Sequence, residues 1–396
     1  MPDLKNRINR LAKAYLKEVT EFRRHLHQYP ELSGKEVKTA SYISGLLKEW
    51  GIEHQTGIAG HGIVGYIRGE KPGKRVIALR ADMDALPIKE ASKVPYSSKN
   101  KGVMHACGHD VHMASLLGVA RILKSLEPEL AGTVKLIFQP SEEKYPGGAL
   151  PMIQAGVLEN PRPDFIIGQH VFPELESGKI GLRSGKYMAS TDEIHLTVTG
   201  KGGHAAIPHK LVDPVLIAAH IIVALQQIVS RNAQPTTPSV LSFGRVIADG
   251  IANIIPDEVL VSGTMRTFDE NWRKEMKNKV TVMATAIAEG MGGSCKVDIH
   301  QGYPFVNNDP EITTKIRKYA EDYLGKENVV DLEIRMTAED FSYFAQEVPG
   351  CFYRLGVMNE SRGITSNLHT STFDVDEASL ESSVGLMTWI VASELK

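Results

Sequence analysis

Arg75-Val76-Ile77-Ala78-Leu79-Arg80-Ala81-Asp82-Met83-Asp84 is the stretch from which the fold can be read: a short apolar run between arginines that ends in two acids two residues apart. An apolar run of this length, bounded by charge, reads as a buried strand. Downstream, Ala114 to Leu126 reads as a helix, Thr133 to Phe138 as a strand, Leu150 to Leu158 as a helix and Asp164 to Gly168 as a strand. This alternation predicts an α/β fold with a mostly parallel sheet covered by helices on both faces. Upstream, Pro2 to Trp50 reads as helical, with Leu11, Tyr15, Phe22 and Leu26 at helical spacing and a break at Tyr29-Pro30 and Ser33-Gly34.

The middle of the chain has a different rhythm. Glu193-Ile194-His195-Leu196-Thr197-Val198-Thr199 alternates polar and apolar, the pattern of a half-exposed antiparallel strand. A long helix from about Asp213 to Ser230 follows. Then come strands at Ser239–Arg245 and Glu258–Arg266, a helix at Trp272–Glu289 and a strand at Cys295–His300. Strand-helix-strand-strand-helix-strand predicts a small α+β domain of ferredoxin-like type. We expect it at 187–301, inserted into a discontinuous larger domain of 1–186 and 302–396. The α/β rhythm returns there with a helix at Pro310–Leu324 and a strand at Cys351–Val357.

Of 396 residues, 45 are Lys or Arg and 47 are Asp or Glu, a net charge of −2, so there is no basic footprint for nucleic acid and no cationic face for a membrane. Met1 to Arg7 lacks the apolar stretch of a signal peptide. The longest apolar run, Val215 to Leu225, is interrupted by His220 and falls short of the roughly 20 residues that cross a bilayer, so it reads as a buried helix. Cys107, Cys295 and Cys351 are odd in number and far apart, which predicts no disulfide framework and a reducing, cytoplasmic setting.

Reading strands and polar residues together brings out the chemistry. One strand runs into Asp82 and Asp84, another into Ser141-Glu142-Glu143, a third into His170, and the last leads through a loop to His369. Ligands of open α/β sheets bind beyond the carboxyl ends of the strands, so these groups are expected to converge on one crevice. His105-Ala106-Cys107-Gly108-His109-Asp110-Val111-His112 sits just before a helix at the same end. Acids, histidines and a cysteine in one crevice make a metal-site inventory. In the pair Glu142-Glu143, one carboxylate can coordinate while its neighbour accepts a proton from a water that the metal activates, a combination that hydrolyses amides or esters. Rival motifs are poorer: there is no G-x-S-x-G elbow and no H-E-x-x-H. Gly200-Lys201-Gly202-Gly203-His204-Ala205 imitates a dinucleotide fingerprint but has no acid about 20 residues on.

Several strings in order resemble the amidohydrolase branch of the M20 metallopeptidase family, which includes hippurate hydrolases, N-acyl-amino-acid deacylases, N-acetyldiaminopimelate deacetylases and auxin-conjugate hydrolases. They are Arg23 to Leu32, Leu79 to Pro87, Met104 to Asp110, Phe138 to Glu143 and Gly200 to His204. The resemblance implies a zinc-peptidase-like catalytic domain and an inserted lid domain that dimerises. It implies two divalent ions (zinc, manganese or cobalt) on Cys107, His109, Glu143, His170 and His369. Glu142 matches the general base, and Asp84 the acid that orients a ligand. His204 matches an oxyanion-stabilising histidine that can act on a partner subunit's site, while Asn253 and Arg266 match substrate-binding residues. Two departures stand out: Asp82-Met83-Asp84 replaces the His-x-Asp of other branches, and no proline stands two residues after His369.

These expectations describe a binuclear metal amidohydrolase acting on small N-acyl amino acids, as a homodimer or higher homo-oligomer through the inserted domain. A dipeptidase of the same family and a non-catalytic metal protein are the alternatives; the presence of Glu142 argues against the second.

Overall fold

The computed structural model describes residues 2–396 and divides into two compact units. The first comprises residues 2–187, Asn307–Glu333 and Asp340–Lys396; the second comprises Met188–Val306 and Ile334–Glu339.

The first unit opens with α1 (Pro2–Gln28) and α2 (Val37–Glu49). Ile8, Ala12, Val19, Phe22 and Leu26 of α1 are buried at helical spacing, so the helix sits on the core by one stripe. Then follow β1 (Glu53–Ile58), β2 (Gly62–Arg68), β3 (Lys71–Asp82), α3 (His109–Leu126), β4 (Ala131–Gln139), α4 (Ala149–Gln154), β5 (Phe165–Glu176) and β6 (Ile180–Leu182). The helix expected to reach Leu158 stops at Gln154, because Gly156 turns the chain at φ +82.

The second unit contains β7 (Asp192–Thr199), α5 (Pro214–Gln227), β8 (Ser239–Ala248), β9 (Glu258–Thr267), α6 (Glu270–Gly290) and β10 (Ser294–Gln301). Its sheet runs β8-β9-β7-β10, all antiparallel, the ferredoxin-like order. Ile194, Leu196 and Val198 of β7 pack with Ile217, Ile221 and Leu225 of α5 and Met276, Val280 and Ala284 of α6. One expectation is corrected here. The apolar run at 215–225 is buried along one stripe only, and Leu216 and Val223 on its other side are 51% and 72% exposed. The whole helical stretch Pro214–Asn232 is long and apolar enough to cross a membrane by length and composition alone, but its inner stripe is core of this unit.

Back in the first unit are α7 (Pro310–Leu324), β11 (Val329–Asp331), α8 (Phe341–Glu347), β12 (Gly350–Met358) and α9 (Ser379–Glu394). The eight-stranded sheet runs β1-β2-β4-β3-β5-β12-β6-β11. Its centre, β4-β3-β5-β12, is parallel, and antiparallel strands flank it. The inner stretches of these four strands are buried and mostly apolar, as strands covered on both faces must be. Parallel register brings their carboxyl ends level: Asp82 pairs with Gln139, and His170 with Arg354.

Candidate metal centre

Gly108 makes the turn into α3. It sits at φ +85, where an L side chain is strained, and a Cβ there would lie 2.4 Å from Val171 Cγ2. Cys107 and His109 therefore flank a position that only glycine fills without a shift.

Cys107 Sγ lies 3.4 Å from His170 Nε2 and 3.3 Å from His369 Nε2. Glu143 Oε1 stands 3.3 Å from His369 Nε2 and 3.9 Å from His109 Nε2. Two groups of three result, Cys107/His109/His170 and Cys107/Glu143/His369, each with its donor atoms within 4.8 Å of one another and with Cys107 common to both.

The imidazoles are held in the tautomer that a metal needs. His109 Nδ1 is 2.8 Å from the Asp84 carbonyl, and His170 Nδ1 is 2.8 Å from the Val171 carbonyl. A carbonyl only accepts, so each Nδ1 carries the proton and each Nε2 is left for a ligand. Among the described residues, His109 Nε2 and Glu143 Oε1 are buried without a hydrogen-bond partner, an arrangement that costs free energy unless an ion lies between them. Burial, and then the carboxylates of Glu143 and Glu142, push the Cys107 thiol well above its ordinary value. Burial works against the His109 imidazolium, yet Asp82, Asp84 and Glu143 push it up to about 10. Both shifts report one surplus of negative charge, which dications would balance. The residues fit two ions with mixed sulfur, nitrogen and oxygen donors.

Asp84 organises the acidic loop. Its Oδ1 accepts from the Glu142 amide at 3.0 Å, and its Oδ2 from the Glu143 amide at 2.9 Å and Ser33 Oγ at 2.6 Å. Ser141 turns the chain at φ +59 just before this pair, its amide donating to Glu36 Oε1 at 2.8 Å. Glu142 is buried at the same loop. His369 takes φ +60, its amide donating to the Ala106 carbonyl at 2.8 Å, and its side chain is 53% exposed. Non-glycine residues in this region are uncommon and concentrate at functional sites.

The first unit thus brings together Asp84, Cys107, His109, Glu142, Glu143, His170 and His369. His204, Asn253 and Arg266 belong to the second unit. His204 is exposed and pairs with Ile254, and the Ala205 amide donates to the Asn253 carbonyl at 3.0 Å, so His204 and Asn253 lie at one short antiparallel ladder. Arg266 is half-buried on β9; burial lowers its pKa, while Asp192 and Glu193 act in the opposite sense.

Sequence reasoning missed the floor beneath the site. Arg80 donates to Gln139 Oε1 at 2.8 Å, Asp82 Oδ2 at 2.6 Å and Asp340 Oδ1 at 2.8 Å, all buried. His112 Nδ1–H donates to Asp82 Oδ1 at 2.5 Å, and its Nε2 accepts from the Val171 amide at 2.9 Å. Asp82 and His112 are thereby committed without an ion, although they cluster with His109. The available signal was Arg80 itself, because a charge inside an apolar strand must find a buried partner. A second network holds α1 to α3: Asp110 Oδ2 accepts from Arg23 Nε and His27 Nδ1, both at 2.8 Å.

With this geometry in view, the chain can be compared with known proteins. The peptidase family M20/M25/M40 profile matches residues 78–392. N-acyl-L-amino acid amidohydrolase of Geobacillus stearothermophilus is 42% identical over 306 residues, covering 77% of this chain and 82% of that protein. N-acetyl-L-cysteine deacetylase of Bacillus subtilis is 40% identical over 364 residues, covering 92% and 85%. The crystal structure of Bacillus subtilis YXEP, a dinuclear metal-binding peptidase of the M20 family, superposes with a TM-score of 0.84 at 34% identity, covering 96% of this chain and 98% of that one. On sequence and fold alike, the chain belongs to peptidase family M20/M25/M40.

Proposed function

We propose that this chain is a binuclear metal amidohydrolase that cleaves the amide bond of N-acyl amino acids, releasing a carboxylic acid and a free amino acid. The observation that carries the reading is the loop clamped by Asp84, which seats Glu143 beside His109 and His369 and buries Glu142 next to it. Two divalent ions, held by Cys107, His109 and His170 and by Cys107, Glu143 and His369, would polarise the acyl carbonyl and lower the pKa of water towards about 7. Glu142 takes the proton of the attacking water and returns it to the leaving amine nitrogen. Asp84 keeps Glu142 and Glu143 in register by holding both amides. His204 is assigned the oxyanion-stabilising role, and Arg266, with Asn253, the binding of the substrate carboxylate. The substrate class is supported by the names of the Geobacillus and Bacillus relatives.

Zinc, manganese and cobalt all suit this donor set. We further propose a homodimer through the second unit, on which Leu216 and Val223 of α5 and Val246 of β8 are exposed.

The deciding experiment is hydrolysis of N-acetyl, N-benzoyl and N-indoleacetyl amino acids, beside free dipeptides, on protein stripped and reloaded with each metal. Release of amino acid from the acylated compounds alone supports the proposal. Hydrolysis of free dipeptides instead would favour a peptidase, the activity named for YXEP.

A further inference from the structure

The second unit carries another group of metal donors, on the face of its sheet that α5 and α6 leave uncovered. Side chains two apart on a strand share a face. On β7, Ile194, Leu196 and Val198 point into the core, so Glu193 and His195 point away from it. On the neighbouring β10, Asp298 stands across from His195, and His300 across from Glu193. The four side chains form two adjacent rungs with acid and imidazole in alternate corners. The two imidazoles meet on the diagonal, their ring centroids 4.8 Å apart.

The contacts within this group are loose. His195 Nε2 lies 3.5 Å from Glu193 Oε2, and His300 Nε2 lies 3.2 Å from Asp298 Oδ2. His195 Nδ1 is 3.2 Å from Ser262 Oγ on β9. His195 Nε2 is shielded from solvent and has no hydrogen-bond partner among the described residues. One donor atom from each of Glu193, His195 and His300 falls within 4.8 Å of the others. Ordinary cross-strand pairing of histidine with acid leaves two adjacent imidazoles to repel each other when both are protonated. It leaves the acids without a charged partner when both are neutral. A dication satisfies both imidazole lone pairs and the carboxylate together.

We propose that Glu193, His195 and His300, with Asp298 at the edge, form a further site for one transition-metal dication, separate from the cluster around Cys107. Two imidazoles with carboxylate suit zinc, cobalt, nickel or copper; magnesium and calcium prefer all-oxygen sets. Glu193, His300 and Asp298 are 53–69% exposed, so their side chains are free to rotate onto bonds of about 2.0–2.2 Å to an ion on His195. The Ser262 hydroxyl fixes the His195 ring from behind, as outer partners of metal-bound histidines do. β10 is an edge strand of its sheet, so an ion here ties the edge to the neighbouring β7.

The test is metal-binding stoichiometry. The metal-stripped full-length chain is titrated with Zn2+ against a chromophoric chelator, and with Co2+ followed by its visible absorption. We expect the wild type to bind one equivalent more than H195A/H300A with either ion, and E193Q to weaken that equivalent. We also expect the extra equivalent to raise the wild-type melting temperature and leave that of the double variant unmoved. H195N/H300N, which keeps the polar surface, gives the same comparison should the alanine pair misfold. Equal stoichiometry and equal affinities in the wild type and either double variant would overturn the proposal.

Discussion

Replacing Gly108 by alanine places a methyl group 2.4 Å from Val171 Cγ2 and 3.3 Å from Cγ1, on a backbone at φ +85. Two penalties can be separated. An L side chain in the left-handed region costs about 1–2 kcal/mol, and forcing a methyl into a packed position costs about 1–3 kcal/mol. Gly108→Ala is therefore expected to lose about 2–5 kcal/mol of stability. The clash is with Val171, whose carbonyl orients His170 and whose amide is held by His112. The strain thus falls on two metal ligands from one side and on a third from the other. Urea unfolding of metal-free G108A, V171A and the double variant gives a thermodynamic cycle. Trp50 and Trp389 both report on the first unit's core. Val171→Ala opens the space that the new methyl needs, so the double variant is expected to be more stable than the sum of the singles predicts, by about 1–3 kcal/mol. The φ penalty of about 1–2 kcal/mol remains in both backgrounds. An unfolding midpoint for G108A equal to wild type, or effects additive within about 0.5 kcal/mol, would refute this reasoning.

Other outcomes follow from the same geometry. Glu142→Gln is expected to retain both ions, measured by elemental analysis, while turnover falls by about 10²–10⁴-fold; loss of metal instead would reverse the division of labour between Glu142 and Glu143. Arg23→Met leaves the Asp110 carboxylate buried without its guanidinium and is expected to cost about 3–5 kcal/mol, with part recovered in R23M/D110N, as read by chemical denaturation. Burial opposes the charged form of Asp110, but Arg23 and His27 hold its pKa below the ordinary carboxylate value. Its contribution is therefore full above about pH 4 and lost as pH falls further, so the advantage of wild type over D110N is expected to shrink only in that acid window. On the proposed homodimer through α5, light scattering is expected to give a smaller mass for L216K/V223K than for the wild type, and an unchanged mass would remove α5 from the interface.

The legible parts of this chain are those whose physics is local. Arg75 to Arg80 reads as a strand because burial on both faces demands continuous apolar residues, and the acids after it mark where the strand leaves the core. The C-terminal helix Ser379–Glu394 was not read, because it is buried on nearly every side and carries no amphipathic period. The edge strand Glu53–Ile58 is polar and largely exposed, so it shows no strand pattern at all. At the site, residue types and their common end of the sheet were readable, but the choice among His105, His109 and His112 was not. That choice depends on partners distant in sequence: the Asp84 carbonyl for His109, and Asp82 and the Val171 amide for His112. The run at 215–225 misled for a related reason, since apolar composition does not say whether its cover comes from the same chain.

The rigid mounting of Cys107, His109 and His170 contrasts with that of His369. The first three are buried between strand ends and the start of α3, whereas His369 stands half in solvent on a loop. The two ions would then differ in lability. The one that depends on Glu143 and His369 can exchange by the swing of a single side chain, while the one on His109 and His170 must wait for a deeper opening. Chelation would proceed in two phases, and between them the protein would pass through a mononuclear form that still holds its fold and most of its ligands in place.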